Sequence, residues 1–188
     1  MKNKSILLTL LIAISTLFSG CLTCESKDFT YVINKDGSVN LTIIYNNIMS
    51  NYSESEEEES TSASTLEADY EDLMSNYIGG SNPESDYNNV IVESKRLYEN
   101  NGVLNGEVKL KFPSIADAKL YYNAKKKFII KDFCSSFTET LSSTNGESAD
   151  SAPFVLWDSK MKTLTYSTSV SSAGDIANTS LLSRWKNR

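Results

Sequence analysis

The chain contains no histidine, three cysteines, and 18 lysines and arginines against 24 aspartates and glutamates in 188 residues. Without histidine there is no Ser-His-Asp or Cys-His catalytic apparatus, and no His-ligated zinc, haem or non-haem iron site. The net charge of −6 lacks the basic excess that displaces counterions from phosphates, so no nucleic-acid partner is expected. A glycine-rich phosphate loop is missing too: Gly79-Gly80 and the Gly102/Gly106 pair fit no nucleotide-binding pattern. The length suits one ordinary domain.

The N-terminus carries the strongest signal. Met1, Lys2 and Lys4 form a cationic start, Ile6 to Phe18 follow as an almost wholly apolar run, and Ser19-Gly20-Cys21 close it. This run falls short of the roughly 20 residues a spanning helix needs and matches the apolar region of a secretion signal. Leu17-Phe18-Ser19-Gly20-Cys21 resembles the lipobox of prokaryotic lipoproteins, matching at Ser19, Gly20 and Cys21, with Phe18 where leucine is usual. The resemblance implies removal of residues 1–20, diacylglycerol on the Cys21 thiol, and an extracytoplasmic domain held to a membrane at the cell surface or in the periplasm. Residues 21–28 are expected to form the lipidated cysteine and a short tether, and 29–188 a single domain.

Charge is unevenly distributed. Residues 51–87 carry −11 and residues 88–188 carry +4. Residues 52–63, with Glu54 and Glu56 to Glu59 and nothing large and apolar after Tyr52, read as a disordered acidic loop. Contiguous glutamates without a glycine turn build no calcium cage, so no metal site is expected. Lys109, Lys111, Lys119, Lys125, Lys126, Lys127 and Lys131 form a basic segment: a patch for anionic lipid or a partner, or simply a solvated face.

After Cys21 the apolar pattern has chiefly period two. Phe29, Tyr31 and Ile33 and then Val39, Leu41, Ile43 and Tyr45 flank an Asp36-Gly37 turn and predict a hairpin over 29–45. Val90 to Tyr98 and Val103 to Phe112 predict a second hairpin, Phe154–Trp157 with Thr163–Ser167 a third, and Phe128–Phe133 a further strand. Helices are expected from Ser114, a capping residue, to about Lys126, over Leu66–Tyr77 before Gly79-Gly80, and from about Asp175, with Ala177, Leu181 and Trp185 on one stripe. The expected class is α+β: an antiparallel sheet built from β-hairpins with helices packed on one face. The Asp36-Gly37-Ser38 hairpin, and Gly106 to Phe112 leading into a capped helix, are similar to LppM-like lipoprotein domains, which implies an extracytoplasmic binding domain without catalytic residues.

With Cys21 lipidated, Cys24 and Cys134 remain. Paired, they would close a loop of 111 residues, worth about 4 to 5 kcal/mol in the chain-entropy description; unpaired, Cys134 is a small apolar core residue and Cys24 a free thiol. Ser183-Arg-Trp-Lys186 spells Ser-x-x-Lys, but no Lys-Thr-Gly strand follows it. No catalytic residues and no cofactor are expected. Ten tyrosines, Tyr121 and Tyr122 among them, either line the core or offer amphipathic contact area to proteins or glycans. The leading expectation is a membrane-anchored lipoprotein acting as a non-catalytic binding or structural module at the cell envelope, with envelope proteins or glycans as partners. The alternatives are an envelope-assembly or stress factor docking on anionic lipid through the basic segment, and a carboxylate-based glycan-acting enzyme.

Overall fold

The computed structural model describes residues 22–51, 59–131, 139–148, 154–170 and 178–188. The chain is mainly β. Its strands are β1 (Leu22–Ile33), β2 (Val39–Asn51), β3 (Ile91–Asn100), β4 (Val103–Phe112), β5 (Tyr121–Tyr122), β6 (Phe128–Lys131), β7 (Glu139–Thr144), β8 (Glu147–Ser148), β9 (Phe154–Trp157), β10 (Thr163–Val170) and β11 (Asn178–Ser180). Helical segments are few: α1 (Glu59–Asp72), continued by a π-helical turn over Leu73–Ile78, a 3₁₀ turn at Asn82–Glu84, and the short α2 (Leu182–Lys186).

Seven strands form one antiparallel sheet in the order β3-β4-β2-β1-β10-β7, with β11 pairing the far end of β2. Four short strands form a second sheet, β5-β6-β9-β8. The first two predicted hairpins are present. In the β1–β2 turn Gly37 takes a φ of 86°, while Asp36 Oδ1 accepts from the Ser38 N–H and hydroxyl. Asn101 and Gly102, at φ 52° and 78°, make the two-residue turn between β3 and β4 whose twist suits a hairpin.

The register follows the hydrophobic alternation. Leu41 stands opposite Tyr31 and Leu110, and Val39 opposite Ile33 and Phe112, so one face of the sheet carries the buried residues. The second sheet covers that face: Phe128, Ile130, Val155 and Trp157 join Tyr31, Leu41, Leu110, Leu164 and Tyr166 in one core. At Asn47, φ 52°, the alternation flips. Odd residues face inward before it, and Ile48 and Ser50 after it. Ile48, Leu104, Tyr70, Leu73 and Leu181 form a second core under α1 and the π-turn.

Several expectations need correction. The class is mainly β rather than α+β, because the two helices predicted from Ser114 and from Asp175 do not form as such. Ser114 does cap: its hydroxyl accepts from the Asp117 N–H and donates to the Asp117 carboxylate. One turn follows, however, before Lys119 adopts a left-handed φ of 56° and Tyr121-Tyr122 pair with Ile129 and Phe128. Among the described residues of the third helix only Leu182–Lys186 are helical, since Asn178–Ser180 pair with β2; its expected start, within residues 171–177, lies outside the described residues. The Leu66–Tyr77 helix is present but begins at Glu59, so residues 59–63 of the expected acidic loop are helical and 52–58 lie outside the described residues. β9 and β10 do not pair with each other, as the chain passes from one sheet to the other through an Asp158–Met161 turn. The expected tether, Leu22–Asp28, is the first half of β1, hydrogen-bonded to β2 and, from Ser26, to β10.

Candidate binding cavity

Between the two cores the inner face of the large sheet stays partly open. A cavity of about 350 Å³ lies there, within the roughly 300–1,000 Å³ range of small-molecule sites. Its sheet wall is Ile48, Tyr45, Gly106, Val108 and Leu97, and its outer wall is Leu73, Tyr77 and Ile78 of the π-turn with Pro83. Leu22, Thr23 and Cys24, the start of β1, line it as well.

Local sequence explains the space. Gly106 faces Tyr45 across the β2–β4 ladder, and a Cβ there would come within 3.1 Å of Ile48 Cδ1. The missing side chain leaves room in the sheet wall. The π-turn widens the helix by one residue per turn, a distortion often found at functional sites. The wall it forms is latched to the sheet edge: Lys95 Nζ, on β3, donates to the Gly80 carbonyl (2.5 Å) and pairs with the Glu84 carboxylate at 2.6 Å, both ends largely buried.

Three charged residues line the cavity, and each has a partner: Glu107 pairs with Arg96 at 2.7 Å and with Lys109 at 3.4 Å. Lys27 Nζ and Glu139 Oε2 pair at 3.0 Å, with the Glu139 side chain only 3% exposed; the other Glu139 oxygen accepts from the Thr168 hydroxyl at 2.5 Å. Beside this pair, burial pushes the Cys24 thiol up to about 11, partly offset by the positive charge of Lys27. Burial likewise raises the Tyr45 phenol far above its ordinary value. At neutral pH Cys24 is therefore a protonated thiol, a poor nucleophile.

The sequence-predicted residues fall in different places. Cys21 lies outside the described residues. Cys24 is buried and free, and Cys134 lies outside the described residues. The lysines do not make one patch. Lys109 and Lys111 are on β4, Lys109 lying 3.4 Å from Glu107; Lys119 projects from the loop before β5; Lys125 to Lys127 form the β5–β6 turn, with Lys127 paired to Glu147; and Lys131 ends β6. The sequence does not point to the cavity, because Cys24 and Lys27 read as tether and Glu139 stands in no motif; the one signal is Gly106 inside an otherwise alternating strand.

Among the described residues no cluster of histidine, cysteine, aspartate or glutamate could hold a metal ion, and no helix is long and apolar enough to cross a membrane. No protein-family model, curated protein or solved structure matches the chain.

Proposed function

We propose that this chain is a membrane-anchored lipoprotein, held through Cys21, whose extracytoplasmic domain is a non-catalytic binding module. Its binding site is the cavity behind β1, β2 and β4, and its ligand a small amphipathic molecule. The observation that carries this reading is the lining of the cavity: mostly apolar side chains, with the Lys27–Glu139 ion pair at one side and Glu107 already paired to Arg96 and Lys109. Such a lining favours a ligand with an apolar body and one polar group, because burying the body releases water while the polar group keeps a partner. The charges already neutralise one another and the Cys24 thiol is protonated, which fits binding better than chemistry. Leu22, which lines the cavity, directly follows Cys21, so the anchor would hold the site close to the membrane surface.

Two measurements test the two halves. Intact mass and membrane partitioning of the full chain, expressed in a lipoprotein-processing bacterium beside Cys21→Ala, should show a wild type without residues 1–20, heavier by diacylglycerol, and a variant lost from the membrane. An unlipidated, soluble wild type overturns the anchor. Titration with dansylaminoundecanoic acid should show saturable enhancement of dansyl fluorescence that Gly106→Val abolishes while circular dichroism stays unchanged. Equal binding by both proteins overturns the site.

A further inference from the structure

A second surface lies at the opposite end of the molecule. The β5–turn–β6 hairpin, residues 119–131, carries five lysines and no acidic residue. Tyr121 and Tyr122 are 49% and 56% exposed, unusual for large aromatics in a protein whose other described tyrosines are at least partly buried. Lys125 and Lys126 are exposed, and among the described residues only Lys127 of the turn has an acidic partner. The turn is built rather than loose. The Asn123 side-chain oxygen accepts from the N–H groups of Lys125 and Lys127, both at 2.9 Å; backbone bonds join Asn123 to Lys127 and Lys126; and Lys126 holds a left-handed φ of 57°. Two lysines that no described side chain neutralises are thus presented in a fixed arrangement, with one exposed aromatic ring on each face of the hairpin, that of Tyr122 packed on Phe128 at 4.9 Å.

Topology sets where this tip points. Phe128, the first residue after the turn, pairs with Trp157, and six residues on Thr163 pairs with Val32. The tip therefore lies toward the end of the large sheet that carries the β1–β2 turn, and that end is about 33 Å along β1 from Leu22 at roughly 3.3 Å per residue. That is several times the roughly 8 Å over which charges act in physiological salt. If Cys21 holds Leu22 at the membrane, as proposed above, the tip faces away from the lipid headgroups.

We propose that this hairpin binds an acidic polysaccharide of the cell envelope. Tyr121 and Tyr122, one on each face of the hairpin, would pack against the C–H faces of sugar rings of a chain wrapped over its edge, and Lys125 and Lys126 would pair with carboxylate or phosphate groups along that chain, releasing its counterions. Tyrosine suits this because it gives rigid amphipathic area at little cost in conformational entropy.

The test uses the full chain held in phosphatidylcholine vesicles and fluorescent polygalacturonate as probe. Wild type should carry the polymer upward on flotation, with affinity falling at least tenfold between about 50 and 200 mM salt, and should not carry neutral dextran. Lys125→Gln/Lys126→Asn, in which asparagine tolerates the left-handed backbone, and Tyr121→Ser/Tyr122→Ser should each lower affinity about tenfold; Lys109→Gln/Lys111→Gln, on the other sheet, should not. Protein that floats without polymer, tyrosine variants that bind like wild type, or loss of polymer binding when phosphatidylglycerol is added to the vesicles would overturn the proposal, the last by making the hairpin a membrane contact. Failure of the protein itself to float would instead overturn the anchor.

Discussion

Gly146 shows how much one missing side chain can decide. A Cβ there would lie 2.6 Å from the Leu156 carbonyl and 2.6 Å from Trp157 Nε1, and neither can retreat: Trp157 is buried, and its ring N–H donates to Asn145 Oδ1, which also accepts from the Thr165 N–H. Gly146→Ala should cost about 1 to 3 kcal/mol, the usual range for overpacking, read as a lower denaturant midpoint at unchanged slope. Cys24 gives a pH prediction. Its folded value of about 11 stands above the ordinary 9.0, so the fold favours the protonated thiol. This contribution is complete below pH 9 and disappears as pH rises to 11, because the unfolded chain ionises first. Two pH units correspond to about 3 kcal/mol. Wild type should lose that much between pH 9 and 11 relative to Cys24→Ala in chemical denaturation, and its thiol should resist iodoacetamide at pH 8 until unfolded. Equal pH slopes for the two proteins would refute the assignment. Neither effect was legible in the sequence: glycine in a polar stretch and cysteine within the expected tether look inert until the fold places Trp157 and Lys27 against them.

At the scale of elements, legibility followed periodicity. Where alternation was strict, as in Tyr31–Ile33, Val39–Tyr45 and Val108–Phe112, the strands and their turns could be read directly, since one face had to be buried. Where β1 begins, the run Glu25-Ser26-Lys27-Asp28 conceals a strand because its needs are met by polar pairing. Asp28 accepts from the Asn46 side chain on one side and the Ser167 hydroxyl on the other, and Lys27 meets Glu139 from β7. Such partners are about 20 to 140 residues apart in the chain and leave no local trace. The one-turn stop after Ser114 shows the converse: a sound capping signal overruled once Ala118, Leu120 and Phe128 were all drawn into the core. The Lys27–Glu139 pair supplies the element-scale prediction. Lys27→Met leaves a buried carboxylate with hydroxyl support from Thr168, and should cost about 3 kcal/mol, whereas Lys27→Met/Glu139→Leu should recover most of that loss because the double change removes the stranded charge. A double-mutant cycle by urea denaturation measures it; a double variant as unstable as the single would contradict the account.

At the scale of the whole molecule, the two cores raise the question of whether this is one cooperative unit. One core lies between the sheets and the other under α1, with the cavity at their junction. The two tryptophans report on them separately, Trp157 being buried in the first and Trp185 packed against the second. Three observations argue for a single unit: β2 and β4 run through both cores, Tyr45 packs against both, and Leu181 at the C-terminal end is fully buried with its N–H donated to the Ile48 carbonyl. A strand shared between cores cannot unpair at one end without exposing apolar surface and backbone groups at the other, so local loss of packing should spread. Leu181→Ala is therefore expected to lower stability by about 2 to 5 kcal/mol and to shift both probes together. In Trp185→Phe and Trp157→Phe backgrounds, each leaving one reporter, the two fluorescence transitions in urea should coincide and share one slope. A Trp185 transition that moves to lower urea while that of Trp157 stays in place would instead make the helical layer a separate unit. The cavity would then be walled by an element that opens on its own, and access to it would be governed by that layer and its Lys95 latch rather than by global unfolding.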